Sequence, residues 1–89
     1  MIRRRVVVHG MVQGVFFRDT CRREARAAGV SGWARNLPDG TVEAVFEGPP
    51  DAVERMVTWT RTGPRHARVD TVDVYDEEPR GDSGFAVTW

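Results

Sequence analysis

The residues of this sequence best suited to chemistry are the run from Gly10 to Arg18, Gly-Met-Val-Gln-Gly-Val-Phe-Phe-Arg, and a later asparagine, Asn36. Two glycines let backbone N–H groups turn toward one point with no Cβ in the way. The run leads into positions Phe17, Cys21, Ala25 and Ala28, apolar at three- and four-residue steps, the period of a helix. The first turn of a helix adds N–H groups that have no internal partner. Together these make an anion cradle. Arg18 supports that reading, because a cation in the first helical turn faces the positive end of the helix dipole and is mildly unfavourable there unless an anion sits nearby. The same residues also fit a solvated arginine beside an ordinary glycine turn, since two glycines four apart are weak support on their own.

The elements that must hold these residues follow from the pattern around them. Ile2 to His9 is a β-type run with three consecutive arginines before Val6-Val7-Val8, so a strand hands over to the cradle. His9 reads as a strand-end histidine. The first helix runs to about Ala28 and stops at Gly29, with Cys21 on its apolar face and Asp19 compensating the dipole in its first turn. Val30 to Arg35 reads as a second strand, the cluster Asn36-Leu37-Pro38-Asp39-Gly40 as a turn, and Thr41 to Glu47 as a third strand, which makes a hairpin. Gly48-Pro49-Pro50-Asp51 then opens a second helix with Val53, Met56, Val57 and Thr60 inward. Gly63 to His66 breaks that helix, Val69 to Tyr75 forms a fourth strand, and Phe85 to Trp89 a further one. The acidic stretch Asp76-Glu77-Glu78 with Asp82 reads as a solvated loop.

This order predicts an α+β chain, a ferredoxin-like α/β sandwich of βαββαβ type plus a C-terminal strand, with two helices on one face of an antiparallel sheet. A right-handed crossover makes the first two strands parallel, so the cradle and Asn36 share one edge of the sheet. With one strand inserted between them their backbones stand about 10 Å apart, twice the inter-strand spacing. An arginine, a phosphate and a water fill that distance.

Composition bounds the partners. At 89 residues the chain is expected to be one domain, spanning 1–89, that buries about 60% of the surface its unfolded form exposes. Thirteen basic and thirteen acidic side chains cancel, so no overall field attracts nucleic acid or an anionic membrane. Every basic residue other than the two histidines is an arginine, which removes Schiff-base and phosphate-loop lysines. His9 and His66 are too far apart to form a metal-ligand spacing. A lone Cys21 forms no internal disulfide, and the start lacks the apolar run of a signal peptide or membrane helix. A soluble, cytoplasmic monomer is the expectation.

The motif residues also resemble a known family. Gly10 to Arg18 is similar to the first signature of the acylphosphatases, glycine-x-valine-glutamine-glycine-valine-x-phenylalanine-arginine, and Gly32-Trp33-Ala34-Arg35-Asn36, with Gly40, Val42 and Gly48 at their spacings, resembles the second. The resemblance covers nearly the whole chain. It implies a ferredoxin-like fold and hydrolysis of small-molecule acyl phosphates without a metal or organic cofactor. It also implies Arg18 as the phosphate-binding residue and Asn36 as the residue that orients water. Met11 departs from the pattern, standing where the family often has a basic residue, which would weaken long-range attraction of an anionic substrate.

The chemistry such a site must perform is modest. The leaving group is a carboxylate whose conjugate acid has a pKa of about 4, so it departs without a general acid. Backbone N–H groups of Gly10, Met11, Val12, Gln13, Gly14, Val15 and Phe16, with the Arg18 guanidinium, would hold the outer phosphoryl oxygens while Asn36 positions water for in-line attack. A phosphoryl oxygen would take the water's proton, since the motifs supply no base. Two other classes remain open. The element order also occurs in RNA-binding domains, but here Glu43 and Glu47 occupy the central strand where those stack bases. A non-catalytic anion-binding module, or the acylphosphatase-like portion of a larger carbamoyl-phosphate-using enzyme, fits the same motifs.

Overall fold

The computed structural model describes residues 1–88. Its elements are β1 (Ile2–Met11), α1 (Phe17–Ala28), β2 (Ser31–Asn36), β3 (Val42–Gly48), α2 (Pro50–Thr60), β4 (Arg68–Glu77) and β5 (Phe85–Thr88). This is the βαββαβ order with an added strand, and the five strands lie in the order β4-β1-β3-β2-β5. β3 therefore stands between β1 and β2, as the crossover argument requires. The expected extension of the last strand to Trp89 lies outside the described residues.

Apolar residues facing the helices explain why the layers form. Val6, Val8, Ala34, Val42, Ala44, Phe46 and Phe85 are buried on one face of the sheet. Phe17, Cys21 and Ala25 of α1, and Ala52, Val53, Met56, Val57 and Thr60 of α2, cover them. Phe17 meets Trp59 at 5.2 Å between ring centroids, joining the two helices, and Phe46 stacks on Phe85 at 5.8 Å. α1 ends as expected: the Gly29 N–H donates to the Arg26 carbonyl and the Val30 N–H to the Ala25 carbonyl, a Schellman pair.

Three expectations need correction. The sheet is mixed, because β5 pairs with β2 in parallel while every other pairing is antiparallel. β4 runs antiparallel to β1 on one edge and β5 lies on the other, so residues 78–84 must cross beneath the sheet and re-enter in the direction of β2. β4 is also longer than its alternation suggests, since it stays paired with β1 from Met11 to Arg3.

The acidic stretch is not simply a solvated loop. Glu77 belongs to β4, and its carboxylate accepts from Arg3 Nε at 3.0 Å and Arg5 Nε at 3.2 Å. Asp82 accepts from Arg3 Nη1 at 2.6 Å, and Glu47 accepts from the same nitrogen at 3.2 Å. Glu47 also takes the N–H groups of Arg80, Gly81 and Asp82 at 2.7, 2.8 and 3.1 Å. The crossing segment is thus stitched to the sheet through two buried charges, Arg3 at 2% exposure and Glu47 at 1%. Those amide donors, and then the Arg3 guanidinium, hold the Glu47 carboxyl below the usual range despite its burial. Burial alone would pull the Arg3 guanidinium down, but Asp82, Glu77 and Glu47 together raise it.

Candidate active site

The loop leaving β1 is shaped by two glycines. At Gly10 (φ 134°) the register with β4 shifts, and a Cβ there would stand 2.1 Å from the Arg68 carbonyl oxygen, so no other residue fits the bulge. Gly14 (φ 74°) sits in the left-handed region, which glycine adopts without strain. Phe16 shares that region (φ 61°) without the excuse of lacking a side chain, and its ring is 79% exposed. This turn aims the chain into α1, whose first bond runs from the Thr20 N–H to the Phe16 carbonyl at 3.0 Å. No side chain caps the helix start, so its N–H groups are not shielded by a capping residue.

Asn36 closes β2, opposite Val42 of β3. The hairpin beyond it is tightly tied. Asp39 Oδ1 accepts from the Thr41 N–H at 3.0 Å and its hydroxyl at 2.6 Å, bonds that lower the Asp39 pKa. The Leu37 N–H donates to the Thr41 carbonyl at 2.9 Å. The Gln13 side-chain amide then donates to the Leu37 and Thr41 carbonyls at 2.8 and 2.9 Å, which fastens the loop after β1 to the turn after Asn36.

Between them lies an open cleft of about 330 Å³, at the sheet edge shared by the ends of β1 and β2. Val12, Gly14, Phe16, Arg18 and Asn36, all singled out in the sequence, line it. The remaining motif residues are placed differently. Gly10 and Met11 lie in the ladder with β4, opposite Val69 and Arg68, so β1 extends two residues past His9 and the free loop begins at Val12. Gln13 turns its side chain to the hairpin, and Val15 packs against the core. Arg18 reaches from α1 to the end of β5, where Nη1 donates to the Thr88 carbonyl at 3.2 Å.

Sequence reading missed two contributors. Val87 brings β5 to the cleft wall, which follows only from the parallel β2–β5 pairing. Arg22 also lines the cleft, one helical turn after Arg18, a spacing that was there to be read. His9 is elsewhere, with Nε2 2.9 Å from Asp73 Oδ2. Cys21 is fully buried, and that burial pushes its thiol well above the ordinary range. Among the described residues no group of three or more His, Cys, Asp and Glu side chains is placed to hold a metal ion.

The arrangement is a cleft lined by the Arg18 guanidinium and the Asn36 carboxamide, groups whose N–H donors suit an anion. Known proteins resemble the chain over its whole length. Residues 4–87 match the acylphosphatase family. The chain is 56% identical, over its full length and 97% of the relative, to the acylphosphatase of Roseiflexus sp. (strain RS-1). It is 55% identical to that of Thermococcus kodakarensis over 97% of this chain and 94% of the relative. The crystal structure of acylphosphatase from Bacillus subtilis superposes with a TM-score of 0.96 at 32% identity, covering both chains completely. Agreement at that level in sequence, in length and in backbone decides the family: the chain belongs to the acylphosphatase family of hydrolases.

Proposed function

We propose that this chain hydrolyses the carboxyl–phosphate bond of small acyl phosphates, with Arg18 and the backbone amides of the Gly10–Phe16 loop holding the phosphoryl group and Asn36 positioning the attacking water. One observation carries the reading: Asn36, eighteen residues after Arg18, lines the same cleft as Gly14 and Arg18. The loop amides and the helix start offer donors to a phosphate, and Arg18 adds a planar fork suited to two of its oxygens. Its carbonyl partner, Thr88, leaves that guanidinium anchored at the cleft wall. Asn36 stands two strands away from the end of β1, where a carboxamide can hold water in line with the bond that breaks.

The steps ask little else of the protein. Water attacks phosphorus, the phosphorus–oxygen bond to the acyl group breaks, and the electron pair leaves on a carboxylate that needs no protonation near neutral pH. The water's proton goes to a phosphoryl oxygen. Catalysis is then alignment and charge stabilisation, the terms that dominate phosphoryl transfer. The direct test is phosphate release from benzoyl phosphate with a chelator present. Turnover supports the reading; phosphate binding without turnover would make the chain an anion-binding module, and loss of turnover in the chelator would replace the metal-free scheme.

A further inference from the structure

The cleft holds a second guanidinium that the scheme above does not use. Arg22 lies four residues after Arg18 on α1, so the two side chains rise from the same helix face about 6 Å apart. Asp19, also at the cleft wall, pairs with Arg22 Nη2 and fixes the plane of the group. Arg22 Nε is buried and, among the described residues, has no hydrogen-bond partner. A helix-surface ion pair of this kind adds little, whereas a buried donor left unsatisfied is costly. The pairing with Asp19 alone does not account for that geometry. Nε is closed off by the protein, but the Arg22 side chain as a whole is 37% exposed and lines the cleft, so what it can offer a bound acceptor is the part of the guanidinium beyond Nε.

We propose that Arg22 is a further catalytic residue, donating to the acyl carboxylate oxygens as the phosphorus–oxygen bond breaks. The proposal rests on the acyl phosphate reading. Such a substrate carries its phosphoryl and carboxyl groups on either side of one bridging oxygen, a separation that two guanidiniums one helical turn apart can straddle. Arg18 takes the phosphoryl side and Arg22 the acyl side. As the bond breaks, negative charge collects on the departing carboxylate, and the N–H donors of Arg22, already oriented by Asp19, stabilise it. No proton passes from Arg22: the electron pair goes to the carboxylate, and the water's proton stays with the phosphate. The class favoured is an acyl phosphate whose parent acid is weak, because its carboxylate benefits most from an external donor.

The test is the dependence of kcat/KM on the acidity of the leaving acid, using acetyl phosphate and ring-substituted benzoyl phosphates with the wild-type chain and Arg22→Gln. Wild type should show a shallow dependence. Arg22→Gln should lose about 10-fold or more with acetyl phosphate and far less with a nitrobenzoyl phosphate, a steeper line that a merely structural residue would not produce. Arg22→Lys should restore part of the shallow slope. Inhibition by inorganic phosphate should stay within about twofold of wild type in both variants, since Arg22 is assigned to the acyl side. Parallel lines for wild type and Arg22→Gln, or phosphate inhibition weakened as much as turnover, would overturn the assignment while leaving the hydrolase standing. A wild-type chain inactive on every substrate would overturn both.

Discussion

The Gln13 carboxamide donates to the Leu37 carbonyl at 2.8 Å, across the end of β3 that separates their two strands. The loop between β1 and α1 and the turn after Asn36 are therefore one fastened unit. Gln13→Leu keeps the side-chain bulk and removes both donors. The unfolding free energy in urea should fall by about 1–2 kcal/mol. Turnover of benzoyl phosphate should fall by a larger factor than KM rises, because the two halves of the site lose their registration. A variant that is destabilised yet turns over normally would show that the fastening serves the fold alone.

Arg18 and Asn36 should separate cleanly by substitution. Asn36→Ala removes the carboxamide and leaves the cradle intact, so inhibition by inorganic phosphate should persist while kcat drops by about 10²–10³, the scale for loss of a preorganised donor. Arg18→Gln removes the guanidinium to which the proposed scheme assigns the phosphoryl group, so phosphate inhibition and turnover should fall together. Normal turnover in Asn36→Ala would remove that residue from water positioning.

Much of this was legible in the chain because it is local. The helix period set Phe17, Cys21 and Ala25 inward, the glycine at Gly29 marked a helix end, and the turn formers after Asn36 marked a hairpin. The crossover rule then placed Arg18 and Asn36 on one edge before any distance was known. What escaped was long-range. Three consecutive arginines at the start of β1 alternate between faces, and nothing nearby in sequence says that Arg3 will meet Glu47, Glu77 and Asp82. Glu47 and Glu77 meet Arg3 because β3 and β4 set them opposite it on either side of β1, and Asp82 meets it because residues 78–84 cross the sheet, a crossing that depends on β5 choosing β2 as its neighbour. The strand end at Met11 escaped for the same reason: β4, far along the chain, supplies its partner.

The Arg3–Glu47 pair predicts a stability effect remote from catalysis. Glu47→Gln leaves Arg3 buried with one carboxylate fewer and replaces an acceptor oxygen with an amide facing backbone N–H donors. Removing one partner of a buried pair costs about 3–5 kcal/mol, so the urea midpoint should drop sharply. The folded fraction should keep its kcat, since the cluster sits at the opposite end of the strands from Asn36. A variant as stable as wild type would mean that the crossing segment is held by something other than this carboxylate.

The same cluster sets the acid limb of stability. Glu47 and Glu77 both have native pKa values below the ordinary 4.5, the first through amide donors and Arg3, the second chiefly through Arg3. The unfolded chain binds protons first, so their contribution is complete above about pH 4.5 and is lost as the pH falls from there through the lowered native values. Urea midpoints measured from pH 6 downward should stay level to about pH 4.5 and then decline. The decline should be shallower in Glu47→Gln, which has one such group fewer. Equal slopes would remove Glu47 from the linkage.

Cys21 offers a reading of phosphate binding that does not depend on turnover. Its thiol is fully buried between Phe17 and Ala25 on α1, and burial, with Glu24 adding a smaller effect, disfavours the thiolate. A thiol reagent at pH 8 should therefore react only when the chain opens, at a rate set by the open population. Inorganic phosphate, binding the closed cleft and not the opened chain, should slow labelling by 1 + [phosphate]/Kd, about 100-fold at a concentration of 100 Kd. Arg18→Gln should abolish that protection, whereas Asn36→Ala should retain it. Rapid labelling of the native chain would show that α1 opens locally without releasing the cleft. Protection that survives in Arg18→Gln would place the bound anion somewhere other than the loop between β1 and α1.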